Sequence, residues 1–207
     1  AVDSLTIPEN GGISTLTAEL NKPYSDTVII YLSFNGSATD SLDYTRSSTT
    51  IKIPNGSTSE TFTITSVEDS INEFNETIII SIDSIKNGIE DIQQQETITI
   101  IDDDSLNQPS LDISLSVDSI SENSEKSFIR AKLSSVSGKE ITIVLSFNGN
   151  ATNGSDYTVS SDTIKIPPNK LVDSVYVTAL QDVLFESDEK VLISISSSEN
   201  VNDNNQE

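Results

Sequence analysis

The 207-residue chain contains no cysteine, histidine, methionine or tryptophan. Without cysteine there is neither a disulfide framework nor a thiolate metal site. Without histidine the commonest general base and the commonest transition-metal ligand are also missing, so any metal must be held by oxygen. No apolar run is long enough to cross a bilayer as a helix, and no signal peptide is visible. With no initiator methionine, the sequence reads as a mature product or an excerpt of a longer chain. Basic residues are scarce, 11 against 33 acidic ones, giving a formal charge of −22. That balance excludes nucleic acid and disfavours anionic membrane surfaces, and it leaves a heavily solvated surface or a cation binder.

What the chain does contain is a repeat. "SFNGSATDSLDYT" at 33–45 returns as "SFNGNATNGSDYT" at 146–158, and "TIKIP" at 50–54 returns at 163–167. The offset is 113 residues throughout, and about a third of the aligned positions are identical. The first copy spans 1–105, a linker covers 106–110 and the second copy spans 111–207. The second stops before a counterpart of "ETITIIDDD", and a strand donated by another subunit is an alternative explanation of that gap.

Alternating apolar residues bounded by Gly, Asn, Pro and Ser mark strands at 1–8, 13–20, 27–34, 49–53, 59–66, 76–84 and 95–102. Seven short strands and no helical period predict an all-β fold: two tandem seven-stranded antiparallel, immunoglobulin-like β-sandwiches, the second lacking its last strand. In "TIKIP", Ile51 and Ile53 should face inward, Lys52 outward, and Pro54 should stop the strand.

If successive strands run up and down, four separate segments deliver acids to one pole. They carry Glu9; Asp43; Glu68, Asp69, Glu73 and Glu76; and Asp102, Asp103 and Asp104. Nine carboxylates packed together would take up protons unless cations neutralised them. Calcium accepts six to eight oxygens from flexible loops, whereas magnesium requires a compact octahedron. Nine acids exceed the needs of one ion, so two or more calcium ions sharing ligands are expected in the first copy. The competing reading treats "DDD" as a solvated charge run, and Asp43–Tyr44 and Asp156–Tyr157 as turn caps with a packed ring.

The "EN" after the first strand, "GSATDSLDY", "EDSINEFNE" and the terminal "DDD" together resemble the Calx-β domain, found in sodium–calcium exchangers and in large surface adhesins. The resemblance covers all of the first copy and the second as far as it extends. It implies that the nine acids above are ligands, joined by the main-chain carbonyl of Ile71. In the second copy the matching positions are Glu122, Asp156, Asp182, Glu186 and Glu189, with Leu184 for the carbonyl. Gln181 replaces the equivalent of Glu68 and the terminal aspartates are missing, so fewer or weaker ions are expected there.

Asp-Ser/Thr-aliphatic tripeptides occur nine times, where composition alone gives roughly one or two. They resemble a bacterial O-glycosylation sequon. The acceptors would be Ser4, Thr27, Ser41, Ser84, Ser105, Ser119, Thr163 and Ser174; Ser70, the ninth, lies where a glycan would crowd the metal loop. The bland alternative is that Asp and Ser simply favour strand starts.

These features together predict a calcium-stiffened structural module of an extracellular bacterial surface protein, an adhesin or filament. Its expected partners are neighbouring repeats of the same chain and, beyond them, surface glycans or other cells. No nucleic acid and no direct membrane insertion are expected. A regulatory calcium sensor of a transporter or signalling protein shares the ligands and is the main rival. Catalysis is not expected: paired carboxylates can hydrolyse glycosides, but a chain without Trp and with 5% aromatics offers no sugar cleft.

Overall fold

The computed structural model describes residues 1–92, 94–104, 106–183 and 187–202. Its fifteen strands fall into two compact units: Ala1–Ser70 with Phe74–Ser105, and Leu106–Glu207 with Ile71–Glu73. No helix among the described residues is long and apolar enough to cross a membrane.

The first unit holds β1 (Thr6–Pro8), β2 (Ile13–Glu19), β3 (Val28–Gly36), β4 (Tyr44–Arg46), β5 (Thr50–Ile53), β6 (Ser59–Ser66), β7 (Glu76–Lys86) and β8 (Gln95–Ile101). One sheet runs β1-β8-β7-β3-β5 and the other β2-β6-β4. Period-two patterning builds both. In β6, Phe62 and Ile64 point inward between outward threonines, and in β7 Ile78 and Ile80 are buried while Thr77, Ile79 and Ser81 are only partly so. Inward residues of the two sheets meet in one core that includes Ile7, Leu16, Val28, Ile53, Phe62, Ile64, Ile78 and Ile98. Ile51 and Ile53 are buried while Lys52 is exposed, as "TIKIP" predicts.

Two expectations need correction. Among the described residues the first repeat has eight strands rather than seven, because Tyr44–Arg46 pairs with β6. Three residues are too few to show a period. The pairing is also not wholly antiparallel, since β1 runs parallel to β8. The first strand is correspondingly shorter than 1–8, with Val2 making only an isolated bridge to Leu16.

The second unit holds β9 (Leu111–Leu115), β10 (Lys126–Leu133), β11 (Ile141–Gly149), β12 (Tyr157–Val159), β13 (Thr163–Ile166), β14 (Val172–Ala179) and β15 (Val191–Glu199). Its sheets run β12-β14-β10-β9 and β13-β11-β15. Its β10 to β15 repeat β2 to β7 at the 113-residue offset, while β9, which pairs with β10, has no counterpart strand in the first unit. Residues 119–121, which align with β1, form no strand.

Candidate metal centre

The parallel pairing of β1 with β8 fixes the pole. Both strands finish at the same end, and the Glu9 amide extends their ladder by donating to Ile101 O at 3.0 Å. β6, from the opposite sheet, finishes there too. Its buried Ser66 hydroxyl donates to Pro8 O at 2.7 Å, and its amide donates to Gly12 O at 2.9 Å. Gly12 allows this close approach, because a Cβ there would lie 2.5 Å from Pro8 O. The turn between β3 and β4 is closed by Asp43, whose carboxylate accepts the Thr39 amide at 2.5 Å while Tyr44 is buried behind it.

Three groups of carboxylates form at this pole, each with oxygens within 4.8 Å of one another: Glu9–Asp102–Asp104, Glu68–Asp103–Asp104, and Asp43–Glu73–Glu76. Two oxygens each about 2.3–2.6 Å from one calcium ion lie at most about 5 Å apart, so the spacing suits that ion. Asp104 belongs to two groups and can bridge. Asp69 joins no group, but it is the charge that acts most strongly on Glu9. Ile71 lies half-buried in the same loop.

Burial and charge supply an independent test of fit. Glu9 and Asp104 are both buried. Burial, then the charges of Asp69, Asp102, Asp104 and Glu68, push the Glu9 carboxyl up to about 8. Glu68 is raised as well, by desolvation and by Asp103, Asp104 and Asp69. A divalent cation relieves this repulsion without a proton, and an all-oxygen donor set suits calcium. The residues present therefore fit the ion, and calcium would supply charge neutralisation and cross-linking of loops.

Sequence reasoning passed over two contributors. The Asn75 side chain accepts the Asp102 amide at 3.2 Å and helps set where the triad begins. Ser66 clamps the ends of β1 and β6. Neither is an acid, so a search for ligands ignores them.

The second repeat presents a different picture. Asp156 accepts the Thr152 amide at 2.5 Å, so it caps its turn as Asp43 does. Glu122, Asp182 and Glu189 are exposed, and no group of three acids forms in this repeat among the described residues. Leu184 and Glu186 lie outside the described residues.

Comparison with known proteins gives the family. The Calx-beta domain family matches twice, over residues 2–104 and 107–207. No curated protein matches. Similar solved structures include CBD12 from CALX1.2 at 18% identity, covering 93% of this chain and 77% of that one with a TM-score of 0.43. The calcium binding domain CBD12 of CALX1.1 gives 18%, 92%, 77% and 0.43. The Pseudomonas aeruginosa CupB2 chaperone gives 5%, 93%, 98% and 0.35. Calx-β domains are regulatory or structural calcium-binding modules rather than enzymes. Matched twice over nearly its whole length, this chain belongs to the Calx-beta domain family.

Proposed function

We propose that the chain is a pair of structural repeats from an extracellular bacterial surface protein, an adhesin or filament, stiffened by calcium at the pole of the first repeat. The observation that carries this reading is Asp104, a buried acid common to two carboxylate groups and placed immediately ahead of the linker. Glu9, Asp102 and Asp104 hold one ion, and Glu68, Asp103 and Asp104 hold a second. Asp43, Glu73 and Glu76 offer a third place, with Asp69 and the Ile71 carbonyl completing the shells. Ions bound there remove repulsion among the loops and tie the start of the linker to the ends of β1 and β6. Ligands that favour an ordered state stabilise it by mass action. The second repeat, with Asp156, Asp182 and Glu189 dispersed, takes fewer ions or holds them weakly.

Heavy Ser, Asn and Thr usage and the acidic surface favour an extracellular setting, with neighbouring repeats as direct partners and surface glycans or other cells beyond them. The test is calorimetric titration of the chelated protein together with small-angle scattering. Two or more ions per chain and a scattering profile that stiffens on calcium addition are expected. Identical profiles with and without chelator would defeat the mechanical reading. A micromolar transition coupled to capture of a transporter fragment would favour the sensor.

A further inference from the structure

The calcium pole does not account for the Asp-Ser/Thr-aliphatic tripeptides. A tripeptide that served the fold would recur where the fold recurs. Of the nine, eight have an equivalent position 113 residues away, and each meets a different tripeptide there. Asp26-Thr27-Val28 aligns with Lys139-Glu140-Ile141, and Asp83-Ser84-Ile85 with Ser196-Ser197-Ser198. Asp118-Ser119-Ile120 aligns with Leu5-Thr6-Ile7, and Asp173-Ser174-Val175 with Glu60-Thr61-Phe62.

Backbone setting does not unite them either. Thr27 lies just ahead of β3, and Ser84 sits on β7 beside a bulge in the pairing with β3. Ser119 lies outside any strand, and Ser174 falls within β14. A preference for strand starts therefore explains at most some of them. What these four share is an exposed aspartate followed directly by an exposed hydroxyl residue. At Ser84 and Ser119 the hydroxyl lies 3.4 Å from the carboxylate of the preceding aspartate, so acid and hydroxyl are presented together.

We propose that Thr27, Ser84, Ser119 and Ser174 are acceptors for O-linked glycosylation by a transferase that reads the preceding aspartate. The donor class is a sugar activated as a phosphate ester on a nucleotide or lipid carrier. The acceptor oxygen forms a bond to the anomeric carbon, and the bond from that carbon to the phosphate oxygen breaks. The carrier phosphate leaves with the electron pair, and the hydroxyl proton passes to a base of the transferase. The remaining tripeptides are poorer substrates. The Ser4 hydroxyl is half-buried and donates to Thr6 O at 2.6 Å. Thr163 is half-buried within β13, so its hydroxyl is less open to a transferase. Ser41 and Ser70 lie in the loops of the calcium pole, and Ser105 lies outside the described residues.

The experiment is peptide mass spectrometry with electron-transfer fragmentation on the protein purified from the cells that make it. Glycosyl mass increments are expected at Thr27, Ser84, Ser119 and Ser174, with Ser4 and Thr163 bare. In the same cells, Asp83→Asn should remove the increment at Ser84 alone, and Asp173→Asn that at Ser174 alone. Both aspartates are exposed, so folding, read by circular dichroism, should be unchanged. Bare masses at all four sites would overturn the proposal. So would increments that persist beside the substituted aspartate, or that fall equally on exposed hydroxyls outside the tripeptide such as Ser37 and Thr58.

Discussion

The two repeats share a sequence pattern and the same kind of core, yet among the described residues only the first gathers its acids. Glu9 is buried among other carboxylates, whereas its equivalent Glu122 is exposed. The cause is not the acids themselves, since Glu122, Asp156 and Asp182 match in type. It is the scaffold that carries them. In the first repeat β1 is held by β8 along its length and by the Ser66 hydroxyl at its end. In the second, Ala179 stands where Ser66 does, so the hydroxyl that ties the ends of β1 and β6 together has no equivalent. A ligand set is therefore as good as the strands that aim it.

Removal of calcium should separate the repeats most. A site filled at about a hundred times its Kd adds ~2.7 kcal/mol of stability, and the first repeat has carboxylate groups for at least two ions. Differential scanning calorimetry of the whole chain should show one transition that falls steeply with chelator and a second that barely moves. Two transitions falling in parallel would mean that the second pole binds as well as the first.

The cores should differ next. Ile80 is buried on β7, while the equivalent Ile193 on β15 is half-buried. Truncating a buried isoleucine to alanine costs about 2–5 kcal/mol, and less where surface is already open. Chemical denaturation in saturating calcium should therefore rank Ile80→Ala well above Ile193→Ala. Equal costs would mean that β15 is as well covered as β7.

At the pole, Asp104→Asn should be the most damaging single change to affinity, because it touches two carboxylate groups. A loss of tenfold or more in calcium affinity is expected, about 1.4 kcal/mol per tenfold, with a lower stoichiometry. Glu122→Gln should leave the calorimetric isotherm unchanged. The metal-free protein should also reveal Glu9 through pH. Its folded carboxyl holds a proton up to about 8, while the unfolded one releases it near 4.5. The folded state thus binds the extra proton between those values, so stability falls as pH rises through that window and levels off above it. Saturating calcium or Glu9→Gln should flatten the slope.

Much of this was readable from residues alone, for identifiable reasons. Strands such as "TFTITS" and "TITII" carry their period in the side chains, and acids at strand ends follow once direction alternates. Tyr44–Arg46 was not readable, because three residues carry no period and their strand character comes from β6. The parallel partnership of β1 and β8 joins residues more than ninety apart in the chain, and nothing local encodes it. The dual role of Asp43 was half-readable. Its turn cap and its place among the acids are both present, so readings that had seemed to compete describe one side chain.

The smallest difference between the repeats lies in two turns where the backbone is left-handed. At the β1–β2 turn the first repeat has Gly11 at φ 66°, and the second has Ser124 at φ 70°. At the turn before Asp43 and Asp156 the pattern inverts, with Ser41 at φ 72° against Gly154 at φ 91°. A residue with a Cβ loses roughly 1–2 kcal/mol in this region, and glycine gives back roughly 0.5–1 kcal/mol through its freer unfolded chain. Each serine therefore leaves roughly 0.5–1 kcal/mol unrealised. Ser124→Gly should raise the melting temperature of the second repeat by about 2–8 °C, at the 4–8 °C per kcal/mol typical of domains this size. Ser41→Gly should do the same for the first. Calcium must be held at saturation in both measurements, because Ser41 lies two residues from Asp43 and its exchange could otherwise act through the ion. A melting temperature that fails to rise for Ser124→Gly would show that the second repeat's turn is relaxed as it stands, and that the two repeats solve the same bend in different ways.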